Sequence, residues 1–104
     1  MRRGEVWLCL ALDKKRPVLI LTHDEVIRSR SKVSVAPITT TVRPRYSEVP
    51  VDQSEGLREA SVVSLDNIMT VVKSSLTERV GSLSAEKMDS VARALNHALG
   101  CDEF

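Results

Sequence analysis

Two short polar segments of the sequence carry side chains that suit the binding of a phosphate group. Residues 14–16 (Lys-Lys-Arg) precede an apolar run, and residues 39–41 (Thr-Thr-Thr) end another and lead to Arg43 and Arg45. The guanidinium of arginine binds a phosphate through a planar fork of N–H donors, and the threonine hydroxyl donates a hydrogen bond without adding charge. If the two strands are neighbours, these groups meet at one rim, where they would stabilise charge in phosphoryl transfer. A second interpretation stays open, because threonine favours strands and basic residues often simply face solvent.

Other familiar catalytic patterns are absent from the sequence. The four glycines are isolated from one another, so there is no glycine-rich phosphate loop. The only histidines, His23 and His97, lie far apart in sequence and near no cysteine, which excludes metal-ligand spacing. We expect His23 in a loop and His97 on the solvent side of a helix, so the spacing does not support acid–base catalysis by a histidine pair.

The composition limits the classes of protein to which this chain can belong. The 104 residues are 42% apolar, enough for one small core, so we expect residues 1–104 to form a single domain. No apolar stretch reaches 18 residues, the N-terminus has no signal-peptide layout, and two cysteines are too few for a disulfide scaffold. We therefore expect a cytoplasmic protein. The net charge of +1 conceals a balance of +6 over residues 1–45 and −5 over residues 46–104, which is compatible with an anionic partner.

The elements that must position these side chains are mostly strands. Period-two and β-branched patterns predict strands over 5–12, from Pro17 through 21, over 32–41, over 48–52, and over 60–72 with an interruption near Asp66. Pro37 predicts an edge or bulge position, and Pro50 predicts an edge strand. The only helical spacing follows Ser84, a plausible N-cap, and ends at Gly100. The pattern predicts a small, strongly bent, mostly antiparallel sheet covered by one C-terminal helix.

Several motifs in order resemble the MazF/PemK type of toxin endoribonuclease. They are Arg-Gly-Glu-Val-Trp at 3–7, Lys-Arg-Pro-Val-Leu-Ile-Leu at 15–21 and Val-Ala-Pro-Ile-Thr at 35–39. The segments at 60–63, 65–68 and 77–84 extend the similarity to the final helix. Each motif alone is weak evidence for the family, but the ordered set of motifs covers nearly the whole chain and is quite specific for it.

The resemblance implies a fold and an activity. The fold is an SH3-like small β-barrel of bent antiparallel strands with a C-terminal helix, usually in a homodimer. The activity is metal-independent, sequence-specific cleavage of single-stranded RNA, in which the 2′-OH attacks its own phosphate and leaves a 2′,3′-cyclic phosphate and a 5′-OH. No cofactor is implied. The implied partner is an antitoxin whose acidic, flexible tail covers the RNA groove, and the implied effect is inhibition of translation and growth.

The resemblance also assigns roles to residues. The catalytic arginine of the family falls on Arg16 and its catalytic threonine on Thr39, while an aspartate used in one branch falls on Asp66. Arg16 would stabilise the phosphorane but not act as a base, because an arginine guanidinium stays protonated at neutral pH. Candidates for contacts with flanking phosphates are Lys15, Thr40 and Arg43.

The sequence departs from the family in two places. The loop between the first two strands is short, with only Asp13, Lys14 and Lys15 between Leu12 and Arg16, so the general base that a longer loop would contribute is not identified. Asp66 and Asp13 are the candidates for the base. Ser64 replaces an arginine found in one branch.

Two other functions compete with this interpretation. A CcdB-like toxin of the same fold poisons DNA gyrase without cleaving anything, although this C-terminus lacks the tryptophan-containing tail associated with such proteins. A non-catalytic RNA-binding barrel is disfavoured, because the sequence has only three aromatic residues. Of these, Trp7 is predicted to lie in the core, whereas Tyr46 either stacks on a base or shields a sheet edge. Cys9 is predicted to be buried and Cys101 to lie near an exposed terminus.

Overall fold

A computed structural model describes residues 1–11 and 14–101, and over these ranges the chain forms seven β-strands and two α-helices. Asp13, one of the candidate bases, lies outside the described residues, as does Leu12. The elements are β1 (Glu5–Ala11), β2 (Lys14–Ile20), α1 (Asp24–Ser29), β3 (Lys32–Thr39), β4 (Glu48–Val51), β5 (Ser61–Ser64), β6 (Met69–Val72), β7 (Leu76–Ser82) and α2 (Ala85–Leu99).

All strand pairs are antiparallel, and the strands lie in the order β4-β5-β3-β2-β1-β7 with β6 also beside β3. The predicted fold class, mainly antiparallel sheet with a C-terminal helix, is confirmed. β4 has a partner on one side only, which suits Pro50, since a proline cannot donate to a further ladder. The interruption predicted near Asp66 is a short 3-10 turn over Leu65–Asn67 that separates β5 from β6.

β3 has different partners along its length, and the change falls at Pro37. The ladder between β2 and β3 runs from Ile20–Val35 to Val18–Pro37 and ends there. On its other edge β3 pairs first with β6 and then, through Ile38 and Thr39, with β5. The Leu21 N–H donates to the Ser34 carbonyl in this ladder, so by alternation the Pro37 backbone points away from β2, and Pro17 and Ile38 are the next residues that would exchange hydrogen bonds. Because Pro17 has no N–H to donate, the sheet can open toward the start of β2 at this point. The ladders of β3 contain no bulge; register shifts occur instead between β1 and β7.

Apolar side chains form two clusters. The larger contains Val6, Leu19, Ala36 and Val63, and α2 covers it with Val91 and other residues of its apolar stripe. The smaller is built around Val18, Ile20 and Val35; Ile27 of α1 belongs to it and Trp7 packs against it. The burial of Cys9 and the exposure of Cys101 are confirmed.

α2 has the ends that the sequence predicts. The Ser84 side chain accepts a hydrogen bond from the backbone N–H of Lys87, and Gly100 is left-handed with φ of 68°. Between these ends the helix packs its buried Val91 and Ala94 against the sheet. None of the helices among the described residues is long and apolar enough to cross a membrane.

Three expectations about the elements are wrong. A second helix, α1, exists where a loop was predicted: His23 is its N-cap, and the His23 ring accepts the N–H of Glu25 at 3.2 Å. With six residues and one buried side chain, this helix is too short to show periodicity. β2 begins at Lys14 rather than Pro17, because β1 continues to pair with these polar residues. Apolar residues on both faces of the first strand predict that both faces are covered, but Leu10 is 50% exposed, so they are not.

The motif at residues 3–7 has a structural role that centres on Glu5. One oxygen of its carboxylate accepts hydrogen bonds from the Trp7 ring N–H (3.0 Å) and the Arg2 backbone N–H (2.8 Å). The other oxygen lies 3.3 Å from Nε of Arg79 on β7. Burial raises the pKa of Glu5, but the bonds from Trp7 and Arg2 and the charge of Arg79 outweigh it, so the pKa lies below its ordinary value. Glu5 therefore holds β1 to β7 best when it is ionised.

Two glycines allow a very close backbone contact between the 3-10 turn Gln53–Glu55 and β7, namely Gly56 directly after the turn and Gly81 on β7. A Cβ on Gly81 would lie 1.9 Å from the carbonyl oxygen of Glu55, and a Cβ on Gly56 would lie 2.2 Å from that of Val80. Gly56 also has φ of 97°, which side chains rarely adopt. The turn is fixed by a capping box, in which Asp52 and Glu55 each accept a backbone N–H of the turn.

We expect the Gly81→Ala substitution to destabilise the protein by about 2 kcal/mol or more, because the new methyl group forces two backbones apart. Urea unfolding followed by circular dichroism measures the change. Ser82→Ala, at the next and exposed position of β7, is the matched control and should change stability by less than about 0.5 kcal/mol. Equal stability of Gly81→Ala and wild type would contradict the close backbone contact between Gly56 and Gly81.

Replacing Glu5 should make the pH dependence of stability flatter. Since the pKa of Glu5 is lowered on folding, its contribution is fully present above the ordinary value of 4.5 and is lost as the pH falls through the lowered value. Glu5→Gln should therefore cost roughly 1 kcal/mol at pH 7 and much less near pH 2.5. Urea unfolding of both proteins at the two pH values tests this. A cost that is the same at both would show that the charge of Glu5 is not what matters.

Candidate active site

The predicted catalytic pair, Arg16 and Thr39, lies on one face of neighbouring strands. Val18 and Pro37 are the last opposed pair of β2 and β3, and Arg16 and Thr39 each lie two residues beyond it. Because side chains alternate along a strand, both share the face of Val18 and Pro37. The divergence of the strands after Pro37 leaves space between them at the rim of the sheet.

The surroundings of these two side chains suit an anionic ligand. Arg16 is exposed, and it makes no ion pair or side-chain hydrogen bond with another described residue. Thr39 is half-buried, and its hydroxyl oxygen accepts the backbone N–H of Thr41 at 3.1 Å. With a lone pair occupied in this way, the Thr39 hydroxyl hydrogen is directed away from Thr41 and remains available to a ligand.

Thr39 opens into a cavity of about 290 Å³, called here the Thr39 cavity. Arg43 and Arg45 line it from the loop after β3, and Glu48, Ser64 and Asn67 line it from β4, β5 and the turn after β5. Glu48 accepts the backbone N–H of Arg43 at 2.9 Å, and the Asn67 amide donates to the Ser64 hydroxyl at 2.9 Å. This cavity is thus a polar pocket with two guanidinium groups and one carboxylate.

Glu48 and Asn67 were not predicted to belong to the site, and Arg45 was predicted only as part of the basic segment that follows residues 39–41. Glu48 stands opposite Ser64 in the β4–β5 ladder, and that pairing brings it next to Thr39. Alternation along residues 48–51 places Glu48 and Pro50 on one face of a strand. The strand order β4-β5-β3, which brings Glu48 near Thr39, depends on contacts between distant segments and cannot be predicted from this local pattern.

Asp66 lies outside the Thr39 cavity. Its carboxylate accepts a hydrogen bond from the Ser47 hydroxyl and lies 3.7 Å from a terminal nitrogen of Arg45. It lines a neighbouring cavity with Tyr46 and His97, whose rings meet edge to face at 5.4 Å. Arg45 lines both cavities, so it links Asp66 to the site. Tyr46 is 85% exposed and does not shield the sheet.

The three residues predicted to contact flanking phosphates divide between two cavities. Arg43 belongs to the Thr39 cavity. Lys15 and Thr40 face each other across a separate cavity of about 650 Å³, called here the Lys15 cavity, which opens where β2 and β3 diverge. Its far wall is the segment from Gly56 to Ser61. The two histidines share no cavity among those of the described residues.

Comparison with known proteins gives consistent matches over most of the chain. The sequence model of one family, described as PemK-like, MazF-like toxin of type II toxin-antitoxin system, matches residues 2–99. The chain is 47% identical to endoribonuclease MazF3 of Mycobacterium tuberculosis over 91 residues, which cover 88% of each protein. It is also 32% identical to endoribonuclease EndoA of Bacillus subtilis over 93 residues, covering 86% of this chain and 79% of EndoA.

Solved structures also match the fold of this chain. The M. tuberculosis toxin MazF-mt6 superposes with a TM-score of 0.87 at 44% identity, covering 92% of this chain and 96% of that one. A mycobacterial endoribonuclease in complex with its cognate antitoxin superposes with a TM-score of 0.88 at 30% identity, covering 96% and 95% of the two chains.

Proposed function

The chain belongs to the PemK-like, MazF-like family of toxins of type II toxin–antitoxin systems, and from this premise we propose that it is a sequence-specific, metal-independent endoribonuclease that cleaves single-stranded RNA. The relatives at 47% and 32% identity are named endoribonucleases, which supports cleavage over gyrase poisoning. RNA cleavage by such a toxin inhibits translation and growth.

The reaction is an internal transfer of a phosphoryl group. The ribose 2′-oxygen bonds to the adjacent phosphorus, its proton passes to a base, and the bond from phosphorus to the 5′-oxygen breaks. The 5′-oxygen takes up a proton, so the products carry a 2′,3′-cyclic phosphate and a 5′-OH. DNA has no 2′-OH and is therefore not a substrate. The crowded intermediate carries extra negative charge on the phosphoryl oxygens, and a catalyst must stabilise that charge.

Arg16 supplies this stabilisation. Its guanidinium is permanently charged and, among the described residues, engaged by no carboxylate, so both arms of the fork can bind phosphoryl oxygens. Thr39 donates its free hydroxyl hydrogen to a phosphoryl oxygen and fixes the orientation of the phosphate. The single observation that carries the proposal is the placement of these two groups on one face, two residues beyond the last pair of their ladder.

Asp66 acts as a positioning residue in this proposal. Its bonds to Ser47 and Arg45 hold the loop that carries Arg45 into the Thr39 cavity. Arg43, Lys15 and Thr40 contact phosphates on either side of the cleaved bond. Arg43 lines the Thr39 cavity, and Lys15 and Thr40, the chain neighbours of Arg16 and Thr39, line the Lys15 cavity.

The proposed partners are a second copy of the chain and an antitoxin. Exposed apolar side chains (Val42 at 62%, Tyr46 at 85%, Leu99 at 58%) support a homodimer. The related mycobacterial endoribonuclease that was solved with its cognate antitoxin supports neutralisation by an antitoxin. The basic residues around the Thr39 cavity suit an acidic, flexible antitoxin segment that competes with RNA.

We expect Arg16→Ala to lower the cleavage rate of a long unstructured RNA at least about 100-fold in excess EDTA, because it removes the main donor to the developing charge. The fragment ends are sequenced and tested for cyclic phosphate. Arg28→Ala, on the exposed surface of α1, is the matched control and should cleave like wild type.

Two further results would contradict the proposal. Normal cleavage by Arg16→Ala would remove this residue from the site. Cleavage of a substrate with 2′-deoxyribose only at the cut position would exclude the cyclic-phosphate route. Thermal unfolding of Arg16→Ala should match that of wild type, since the side chain is exposed, so lost activity would not reflect lost folding.

Thr39→Val should reduce the turnover number about 10- to 100-fold, because a hydrogen bond to a charged group contributes about 1.5–3 kcal/mol. Valine keeps the shape and strand preference of threonine and removes only the hydroxyl. Single-turnover cleavage of one oligoribonucleotide measures the rate. Thr70→Val, at an exposed position of β6, provides the control, and unchanged turnover in Thr39→Val would exclude a role for the hydroxyl.

A further inference from the structure

The Lys15 cavity has an apolar floor of the kind that holds a flat ring. Leu8, Pro17, Leu57 and Val80 line it, and Leu57 is buried. Leu8 and Pro17 are directly opposed in the β1–β2 ladder, so their side chains form one continuous surface. The volume of about 650 Å³ lies within the range typical of small-molecule sites. A purine or pyrimidine ring can pack against such a floor.

The rim of the cavity is polar and carries two glutamates beside the basic residues Lys15 and Arg58. Arg58 and Glu59 follow Leu57 on the far wall, and Glu78 lies on β7. Both glutamates are exposed, and neither carboxylate takes part in an ion pair or side-chain hydrogen bond with another described residue. Carboxylates accept hydrogen bonds from the amino groups of bases, as in the pairing of glutamate with cytosine N4. Uracil offers no amino group to these acceptors, and its one N–H donor on the pairing edge, at N3, lies between two carbonyl oxygens that a carboxylate repels.

The cavity opens next to the proposed catalytic pair. Lys15 and Thr40 line it, and each is the chain neighbour of a catalytic candidate, Arg16 or Thr39. Consecutive Cα atoms are about 3.8 Å apart, and side chains alternate in direction along a strand. The same strand ends therefore present Arg16 and Thr39 to one side of the rim and Lys15 and Thr40 to the other. A nucleotide adjoining the cleaved phosphate can reach the cavity across this rim.

The far wall of the cavity is already in place without a ligand. Gly56, at its start, contacts the backbone of β7 so closely that no side chain fits between them. The preceding turn is closed by the capping box of Asp52 and Glu55, and Glu55 is buried. A rigid wall costs little ordering when a base binds, and it favours selective recognition.

We propose that the Lys15 cavity binds the base of a nucleotide adjoining the cleaved bond and that Glu59 and Glu78 select a base with an exocyclic amino group. This inference rests on the proposed ribonuclease function, which it deepens by naming one element of the sequence that is cut. Lys15 holds the phosphate of the same nucleotide.

The cut positions in a randomised RNA pool test the proposal. Wild type should prefer adenine, cytosine or guanine over uracil by about ten-fold or more at one position beside the cut. The double variant E59Q/E78Q should lose that preference and keep its preferences at other positions, because glutamine keeps the shape of the side chain and removes its charge. E86Q, at an exposed position of α2, is the control and should cut like wild type.

Replacing single amino groups sharpens the test. A substrate with the preferred base replaced by its deamino analogue (inosine for guanosine, for example) should be cut as slowly as the uracil substrate by wild type. The double variant should cut the two substrates equally. An unchanged base preference in E59Q/E78Q, or a wild-type preference for uracil beside the cut, would overturn the base-binding proposal while leaving the ribonuclease function intact.

A binding measurement separates this inference from the proposed function. In amide-detected NMR of the wild-type protein, cytidine 5′-monophosphate should shift the signals of Leu57 and Glu59, at the floor and rim of the cavity, more strongly than uridine 5′-monophosphate does. Both nucleotides should shift Lys15 through the phosphate that they share. If wild type cuts no RNA but shows this difference, the cavity is a nucleotide site and the proposed ribonuclease function is wrong. Equal shifts of Leu57 and Glu59 with both nucleotides, or none with either, would overturn selection by amino groups.

Discussion

The backbone nitrogen of Pro17 carries no hydrogen, and the shape of the candidate active site depends on that. The ladder between β2 and β3 ends at Val18 and Pro37, one pair before this residue, while β3 continues along β5. Beyond it, the start of β2 stays with β1 alone, so the rim between the two strands opens. The Thr39 cavity lies on one side of this opening and the Lys15 cavity on the other. An ordinary residue at position 17 would allow the ladder to continue and bring Arg16 and Thr39 into a closed pair with little room for a phosphate between them.

Most of the fold was accessible from the sequence, and the limits of prediction have identifiable causes. The strand patterns around Val18, Val35 and Val49 and the ends of α2 at Ser84 and Gly100 are local signals, and the structure agrees with them. α1 was missed because a six-residue helix with a histidine cap carries almost no periodic signal. β7 gave no strand signal, because most of its side chains are polar and exposed. Strand order is set by contacts between distant segments, which a single sequence does not display.

The same limit separates the candidate residues. Arg16 and Thr39 were identifiable because each stands at the end of an apolar run and matches a family motif. Glu48 and Asn67 were not, since they come near Thr39 only through the pairing of β4, β5 and β3. Asp66 has the residue type of a catalytic base, but its bonds to Ser47 and Arg45 show a carboxylate already occupied in holding a loop. Residue type suggests a chemistry, and hydrogen-bond partners decide whether the group is available for it.

The contact between Gly56 and Gly81 has a consequence for how recognition by this protein can diversify. Because the wall of the Lys15 cavity is joined to β7 backbone against backbone, it cannot shift without loosening the sheet. New preferences for RNA are therefore expected to arise by exchange of side chains on the rim, with the backbone left unchanged. Under the proposed binding of a base, a rigid cavity of this kind cannot close over its ligand, so a base of the RNA has to leave its stacked neighbours to enter. Unpaired, weakly stacked stretches of transcripts would then be the most vulnerable, and RNA structure itself would act as protection.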